Sequence, residues 1–245
     1  NQVYFSGLEK FDGKYVRPLN DMEIGQIAGR AGRYTKSGYF GTTLGAKFTN
    51  LESIENIQGH KFEPIKKIFW RNHLLSFKSE CELVNSLKKK PDNHRLILKK
   101  DAEDQKFLSR FLKDNKKNFK FNNPETLKQL WDVCRIPDYQ NISDEKHVEL
   151  LTKIFDELIK NQWVFSDKFL EKEISYLQNY NGSIDDLIYN LNETRTWLYI
   201  TNQKQWISNS IWVETVKNIE NKLSEEIHLS LMQKFVDKNK SEMIQ

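Results

Sequence analysis

Apolar residues recur along most of this chain at intervals of three and four, the spacing that lines side chains along one face of a helix. From Ser143 the stripe Val148, Leu151, Ile154, Phe155 and Leu158 predicts a long helix with the Ser143 hydroxyl as its cap. Asn123-Pro124 opens another, with Leu127, Leu130, Trp131 and Cys134 inward and Pro137 stopping it. Ser183 and Asp186 form a capping pair ahead of Leu187, Ile188, Leu191 and Leu198. Trp212, Val216, Ile219, Leu223, Ile227, Leu231 and Phe235 mark the last helix. Pro64 stands where a helix starts, with Ile65, Ile68 and Phe69 on one face. From Pro91 to about Asn123 the pattern is polar and lysine-rich, which predicts a long loop around one short helix. No internal repeat is visible.

The first residues follow a different period. Val3 to Phe11 has strand composition, Asp12-Gly13 is a hairpin turn, and Lys14 to Arg17 returns as a second strand that Pro18 closes. Asn20 then occupies a helix N-cap position, with Glu23 three places on as its capping-box partner. That helix runs through Ile24 and Ile27 into the stretch Gly29 to Arg33, and Gly38 to Gly45 is a further strand bounded by glycines. Strand, hairpin, helix and strand make residues 1–48 the tail end of an α/β unit, and residues 49–245 a helical domain. The expected fold class is therefore mainly α with a small α/β part.

Hydrophobic residues are 38% and charged residues 29% of the 245, a balance of globular rather than disordered chains. Six Trp supply ample core material. The net charge of +4 is too small to argue for a polyanionic partner by itself. Between Lys61 and Lys128, however, basic residues outnumber acidic ones about two to one, with runs at Lys88–Lys90 and Lys116–Lys117. Such a segment either follows a phosphate backbone or forms solvated helix faces and loops. Cys81 and Cys134 stand far apart without a CxxC partner, which excludes a disulfide framework and a cysteine zinc site and fits a reducing compartment. The five histidines have no metal-ligand spacing, so no metal site is expected within the chain. No apolar run is long enough to cross a membrane. The start, Asn-Gln-Val-Tyr-Phe, lacks Met and reads as the middle of a strand, which suggests a piece of a longer protein.

One string is more specific than the rest: Gln26-Ile27-Ala28-Gly29-Arg30-Ala31-Gly32-Arg33. It reads as a helix ending in two arginines three residues apart, a spacing that puts both guanidinium groups on one side. Gly29, Ala31 and Gly32 keep the surface bare, so a partner can approach closely. Arginine suits phosphate because its planar, permanently charged fork donates two hydrogen bonds at once. A glycine-frayed helix end with two surface arginines would carry the same letters.

This string resembles motif VI of superfamily 2 helicases, in the DExH-type form that starts with Gln. Its surroundings, Lys10-Phe11-Asp12-Gly13, Arg17-Pro18-Leu19 and Glu23-Ile24, are similar to the RNA helicases of the mitochondrial degradosome and their bacterial relatives. Residues 131–139 (WDVCRIPDY) and 195–199 (RTWLY) resemble stretches in the C-terminal region of those bacterial relatives. The likeness is strongest over residues 7–44 and looser after about 200. It implies that residues 1–48 are the C-terminal end of the second RecA-like domain. The missing N-terminal RecA-like domain would complete the ATP site. Arg30 and Arg33 would then act as arginine fingers on the terminal phosphates, Gln26 would order the nucleotide or attacking water, and Gly29 would lie in the same nucleotide contact. Cofactors implied are ATP and Mg²⁺, with the Mg²⁺ ligands outside this chain. Implied partners are RNA, with DNA or a hybrid possible, and a nuclease; the implied setting is a bacterial cytoplasm.

Two near-matches do not hold. Gly7 to Gly13-Lys14-Tyr15 has one residue too many for a phosphate-binding loop and lacks the Ser or Thr hydroxyl. Asp144-Glu145-Lys146-His147 spells DExH, but no apolar strand precedes it, and a Ser143-capped helix start explains the letters. Without a phosphate loop or magnesium carboxylate the chain alone is not expected to hydrolyse ATP. Arg195 and Trp197, with Tyr199, are candidate strand contacts through base stacking, against the commoner role of Trp as helix core. Thr42 and Thr43 are candidates to face nucleic acid, against ordinary strand propensity. Two other readings remain: a stand-alone nucleic-acid-binding or partner-docking module without ATPase activity, and a helical adaptor.

Overall fold

The computed structural model describes the chain apart from residues 13–14, 33–36, 47–49, 101, 116–118, 122, 142 and 243–245, and apart from the side chains of 235–242. With 54% of residues helical and 9% in strands, the fold is mainly α with a small sheet part. It divides into two compact units, Asn1–Ile68 and Phe69–Gln245.

Unit one begins with β1 (Gln2–Phe5), then β2 (Glu9–Phe11) and β3 (Val16–Pro18), which pair antiparallel with Lys10 opposite Arg17. The expected hairpin forms, its tip at Gly13 and Lys14 lying outside the described residues. The expected single strand Val3–Phe11 breaks in two around Gly7. Next come α1 (Asp21–Ala28), β4 (Tyr39–Thr42) and α2 (Leu51–Gln58). β1 and β4 run parallel, with Val3 opposite Phe40 and Phe5 opposite Thr42. Alternation sends Phe5 and Phe40 toward a small core with Ile24, Ala28 and Ile57. The other face carries Tyr4 and Tyr39, 61% and 72% exposed. Ile57 belongs to this core, so α2 joins unit one and the compact unit extends past residue 48 to 68.

Unit two contains β5 (Ile68–Trp70, starting at the unit boundary), α3 (Glu80–Leu87), β6 (Leu96–Leu98) and α4 (Glu103–Asp114). There follow α5 (Pro124–Cys134), α6 (Asp144–Lys160), α7 (Asp167–Ser175), α8 (Ile184–Thr201) and α9 (Ile211–Glu242). Helices α3 to α9 share one core. Phe155 of α6 sits at its aromatic centre, edge-on to Phe111 at 5.4 Å and to Phe119 at 5.2 Å. Trp206 is fully buried because its indole N–H donates to Gln129 Oε1 at 3.0 Å.

Several expectations are corrected here. The segment after Pro64 is no helix: Ile65, Ile68 and Phe69 are 69%, 57% and 71% exposed, and residues 68–70 form β5 paired with β6. An apolar stripe stabilises a helix only when something covers it, and no described residue of unit one buries this one. The lysine-rich stretch holds the one helix expected there, α4, which buries Phe107, Leu108 and Phe111 amid its charges; the strand β6 is the unexpected element. Helices α2, α3 and α7 have no counterpart among the expected elements. On α8, Ile188 is 41% exposed rather than inward, since it lies off the face that buries Leu187, Leu191 and Trp197. On α9, Leu231 is 39% exposed, and the Phe235 side chain and the pair Lys116–Lys117 lie outside the described residues.

The near-match at 144–147 is a helix start, as its context predicts. Ser143 Oγ accepts the Lys146 N–H, with Asp144 and Glu145 in the first turn. His147 is buried, with its ring 4.4 Å from that of Phe107. Its Nε2 lies 3.0 Å from the Ile136 carbonyl oxygen, which can only accept, so Nε2 carries the proton. Burial pushes its pKa below the ordinary 6.5, outweighing the Ile136 bond and Asp138, which favour the charged form. The unfolded chain therefore takes up a proton that the folded one resists, and stability falls as pH drops through about 6.5. Urea unfolding between neutral and mildly acidic pH checks this: wild type loses stability over that window, and His147→Gln, though weaker throughout, shows a flatter profile.

Candidate functional site

The site is assembled from the start of α1. Asn20 Oδ1 accepts the Glu23 N–H at 2.9 Å and Glu23 Oε2 accepts the Asn20 N–H at 3.1 Å, a complete capping box. Glu23 also takes both guanidinium N–H groups of Arg17, at 2.8 and 2.9 Å, and an ion pair with Lys10. Arg17 chiefly, then Lys10 and the Asn20 amide, hold the Glu23 carboxyl well below the usual carboxylate range. A depressed carboxylate stabilises the fold above its ordinary pKa of 4.5, and the effect is lost as pH falls below it. Lys10 and Arg17 are paired residues of the β2–β3 hairpin, so one side chain ties that hairpin to the first turn of α1.

At its other end α1 stops at Ala28, with Gly29 as C-cap. The Arg30 and Ala31 amides donate to Ile27 and Ala28 carbonyls at 3.1 and 2.9 Å, a tighter turn than an α-helix makes. Arg30 thus lies past the helix rather than on it, which corrects the expected helical phasing. The poor helix formers Gly29 and Gly32 end the helix here. Gln26 and Arg30 are exposed, and neither side chain bonds a described residue. Arg33 lies outside the described residues.

The turn is braced from behind. A Cβ on Gly38 would stand 2.4 Å from the Ala31 carbonyl carbon and 2.6 Å from the Gly32 nitrogen. Only glycine lets the approach to β4 touch this turn. Beside the contact is a cleft of about 700 Å³, whose lining includes Gly25, Gly29, Gly32 and Gly38 with Tyr39 and His60. Arg30 follows Gly29 of this lining without lining the cleft itself, and an exposed guanidinium beside a glycine-bare rim suits an anion with several acceptor oxygens. Tyr39 and His60 are absent from the sequence-based candidates, because a strand tyrosine and a lone turn histidine carry no motif that would reveal them. His60, at φ 51°, stands in the left-handed region, which helps turn the chain after α2.

The other sequence candidates do not gather there. Thr42 is half-buried at the end of β4, and Thr43 is exposed, its N–H donating to the Phe5 carbonyl at 3.0 Å. Arg195 and Trp197 belong to unit two. Trp197 is fully buried, with Phe169 beside it at 6.2 Å, so it has no face for a base; the stacking expectation is corrected in favour of core packing. Arg195 is exposed and reaches Glu220 at 3.4 Å. No group of His, Cys, Asp and Glu among the described residues could hold a metal. No described helix is long and apolar enough to cross a membrane. Comparison with models of known protein families, with curated proteins and with solved structures finds no match.

The Gly38 contact gives a direct contrast. Gly38→Ala is expected to destabilise unit one by about 1–3 kcal/mol through overpacking. Gly45→Ala, where nothing lies within 4 Å, should stay within about 0.5 kcal/mol of wild type. Urea unfolding of both variants measures the difference; equal stabilities would dismiss the bracing role.

Proposed function

We propose that this chain is the C-terminal part of an ATP-dependent superfamily 2 RNA helicase. On this reading unit one ends the second RecA-like domain and unit two helps hold the nucleic-acid strand. The observation that carries it is the turn after α1: the motif-VI-like string puts exposed Gln26 and Arg30 at a glycine-bare rim, next to a cleft and free of described partners. The β1–β4 pair supports it independently. Parallel strands are almost always covered on both faces, yet Tyr4 and Tyr39 leave one face of this pair open. A larger parallel sheet of a RecA-like domain would continue from such a pair.

Arg30, with Arg33 after it, would hold the terminal phosphates of ATP, and the Gly29 and Gly32 backbone would allow their close approach. Bound ATP supplies the transferable phosphoryl group, and Mg²⁺, held by residues outside this chain, neutralises its charge. The arginines stabilise the charge spread over the transferring group, a contribution of about 10³ to 10⁵ in rate for such fingers. Gln26, one turn before Arg30, is placed on the chain to orient water or nucleotide. RNA, a nuclease partner and a bacterial cytoplasm belong to the same proposal and rest on the resemblance alone.

RNA-stimulated ATP turnover by the native gene product tests it. Arg30→Ala is expected to lose about a hundredfold or more in turnover while still binding ATP. Unchanged turnover would put a nucleic-acid-binding module without ATPase activity in its place.

A further inference from the structure

The β5–β6 ribbon of unit two combines an exposed ring with cations that have no ion-pair partner among the described residues. Phe69 is 71% exposed, and Lys99 Nζ stands 5.9 Å over its ring, which shows the ring face open to a group arriving from solvent. The Lys99 amide donates to the Trp70 carbonyl at 3.0 Å, so the strand pairing brings these side chains together. The chain entering β6 carries Lys88, Lys89, Lys90 and Arg95, and Lys99 and Lys100 leave it. All six are exposed and none makes an ion pair with a described residue, against one acid, Asp92, in the same stretch. Glu103 and Asp104 of α4 lie nearby, but Asp104 is engaged by both N–H groups of Arg71 at 2.8 and 2.9 Å.

The ribbon is also held firmly. That Arg71 fork fastens the end of β5 to α4. Asn72 is buried and donates to the Leu74 and Ser86 carbonyls at 2.9 and 2.8 Å, fastening the next residues to α3. An isolated two-stranded ribbon is marginal in water, so anchors at one end preorganise what the other end presents.

We propose that this ribbon binds single-stranded nucleic acid, with Phe69 as a stacking platform for a base and the flanking Lys and Arg side chains on the backbone phosphates. Charge complementarity selects a polyanion, and the exposed ring selects one that carries flat π-faces. The Lys99 contact does not block this: an exposed cation–π pair is worth roughly twofold to fivefold in a binding constant. Stacking a base on an aromatic ring is worth roughly fivefold to 150-fold. A base therefore displaces Lys99 toward a phosphate. This deepens the proposal that unit two holds the strand, and gives that role a place distinct from Trp197.

The test is fluorescence anisotropy of the whole chain with a labelled oligouridylate of about a dozen nucleotides and no ATP. Phe69→Ala is expected to weaken binding roughly fivefold to 150-fold, and Phe69→Tyr to retain it. Lys99→Gln with Lys100→Gln should weaken binding and lower its salt dependence, by a slope of roughly 0.7 for each phosphate no longer neutralised. Phe69 is solvent-facing, so the thermal midpoint and helical circular dichroism should not move with Phe69→Ala. Arg30→Ala should bind the oligonucleotide as wild type does. The proposal is overturned if Phe69→Ala binds unchanged, if wild type binds no oligonucleotide, or if inorganic polyphosphate or an acidic peptide of equal charge binds as tightly. Failure of the ATP-site reading looks different, because it leaves Phe69-dependent binding intact while Arg30→Ala turns over ATP normally.

Discussion

Glu23 accepts from Arg17 through two bonds, pairs with Lys10 and caps the amide of Asn20, and the helix that carries the candidate site starts from that convergence. Single exposed ion pairs stabilise proteins little. This carboxylate differs because its partners come from two elements with fixed geometry, the β2–β3 hairpin and the first turn of α1. It sets where α1 starts and holds the hairpin against that start; the end of α1 is set separately by Gly29 and the turn after it. Gln26, one turn into α1, takes its position from that start. Behind that turn, Gly38 permits a backbone contact no larger residue would allow, so the motif is braced at both ends.

Unit two solves a different problem. Its seven described α-helices contribute to one core, with aromatic rings gathered around Phe155 and with Trp197 and Trp206 buried in the same cluster. Among the exposed Phe, Tyr and Trp rings of its described residues, Phe69 is the most open, and it stands on a ribbon beside cations without described partners. Rigid packing beneath and an open ring above suit a surface that meets a flexible strand.

Much of this is legible from residue spacing, and the failures are informative. Helices with caps and a full apolar stripe, at Asn123, Ser143 and Ser183, start where the capping residues stand. The capping box at Asn20 and Glu23 forms as its letters indicate, and so does the hairpin pairing of Lys10 with Arg17. The helix expected in the lysine-rich stretch forms as α4, but its place is not legible, because Phe107, Leu108 and Phe111 make a narrow stripe within a charged sequence; the three-residue strand β6 is too short to show a period. The segment after Pro64 misleads for the opposite reason: its apolar residues repeat at helical spacing, but tertiary pairing with β6 overrides that signal. The motif identifies Arg30 but not its place beyond the helix end, since the cap at Gly29 depends on how the following turn closes. Tyr39 and His60 have no sequence signal at all; only the folded cleft collects them.

The account turns on Arg30 meeting a phosphoryl group, and the most direct measurement is a structure of the native gene product trapped with ADP and aluminium fluoride as a mimic of the transferring group. The account predicts the Arg30 guanidinium at hydrogen-bond distance, about 2.7–3.2 Å, from the fluoride or a terminal phosphate oxygen, across a closed cleft. An Arg30 left in solvent, or bound only to the backbone of a nucleic-acid strand, would contradict it.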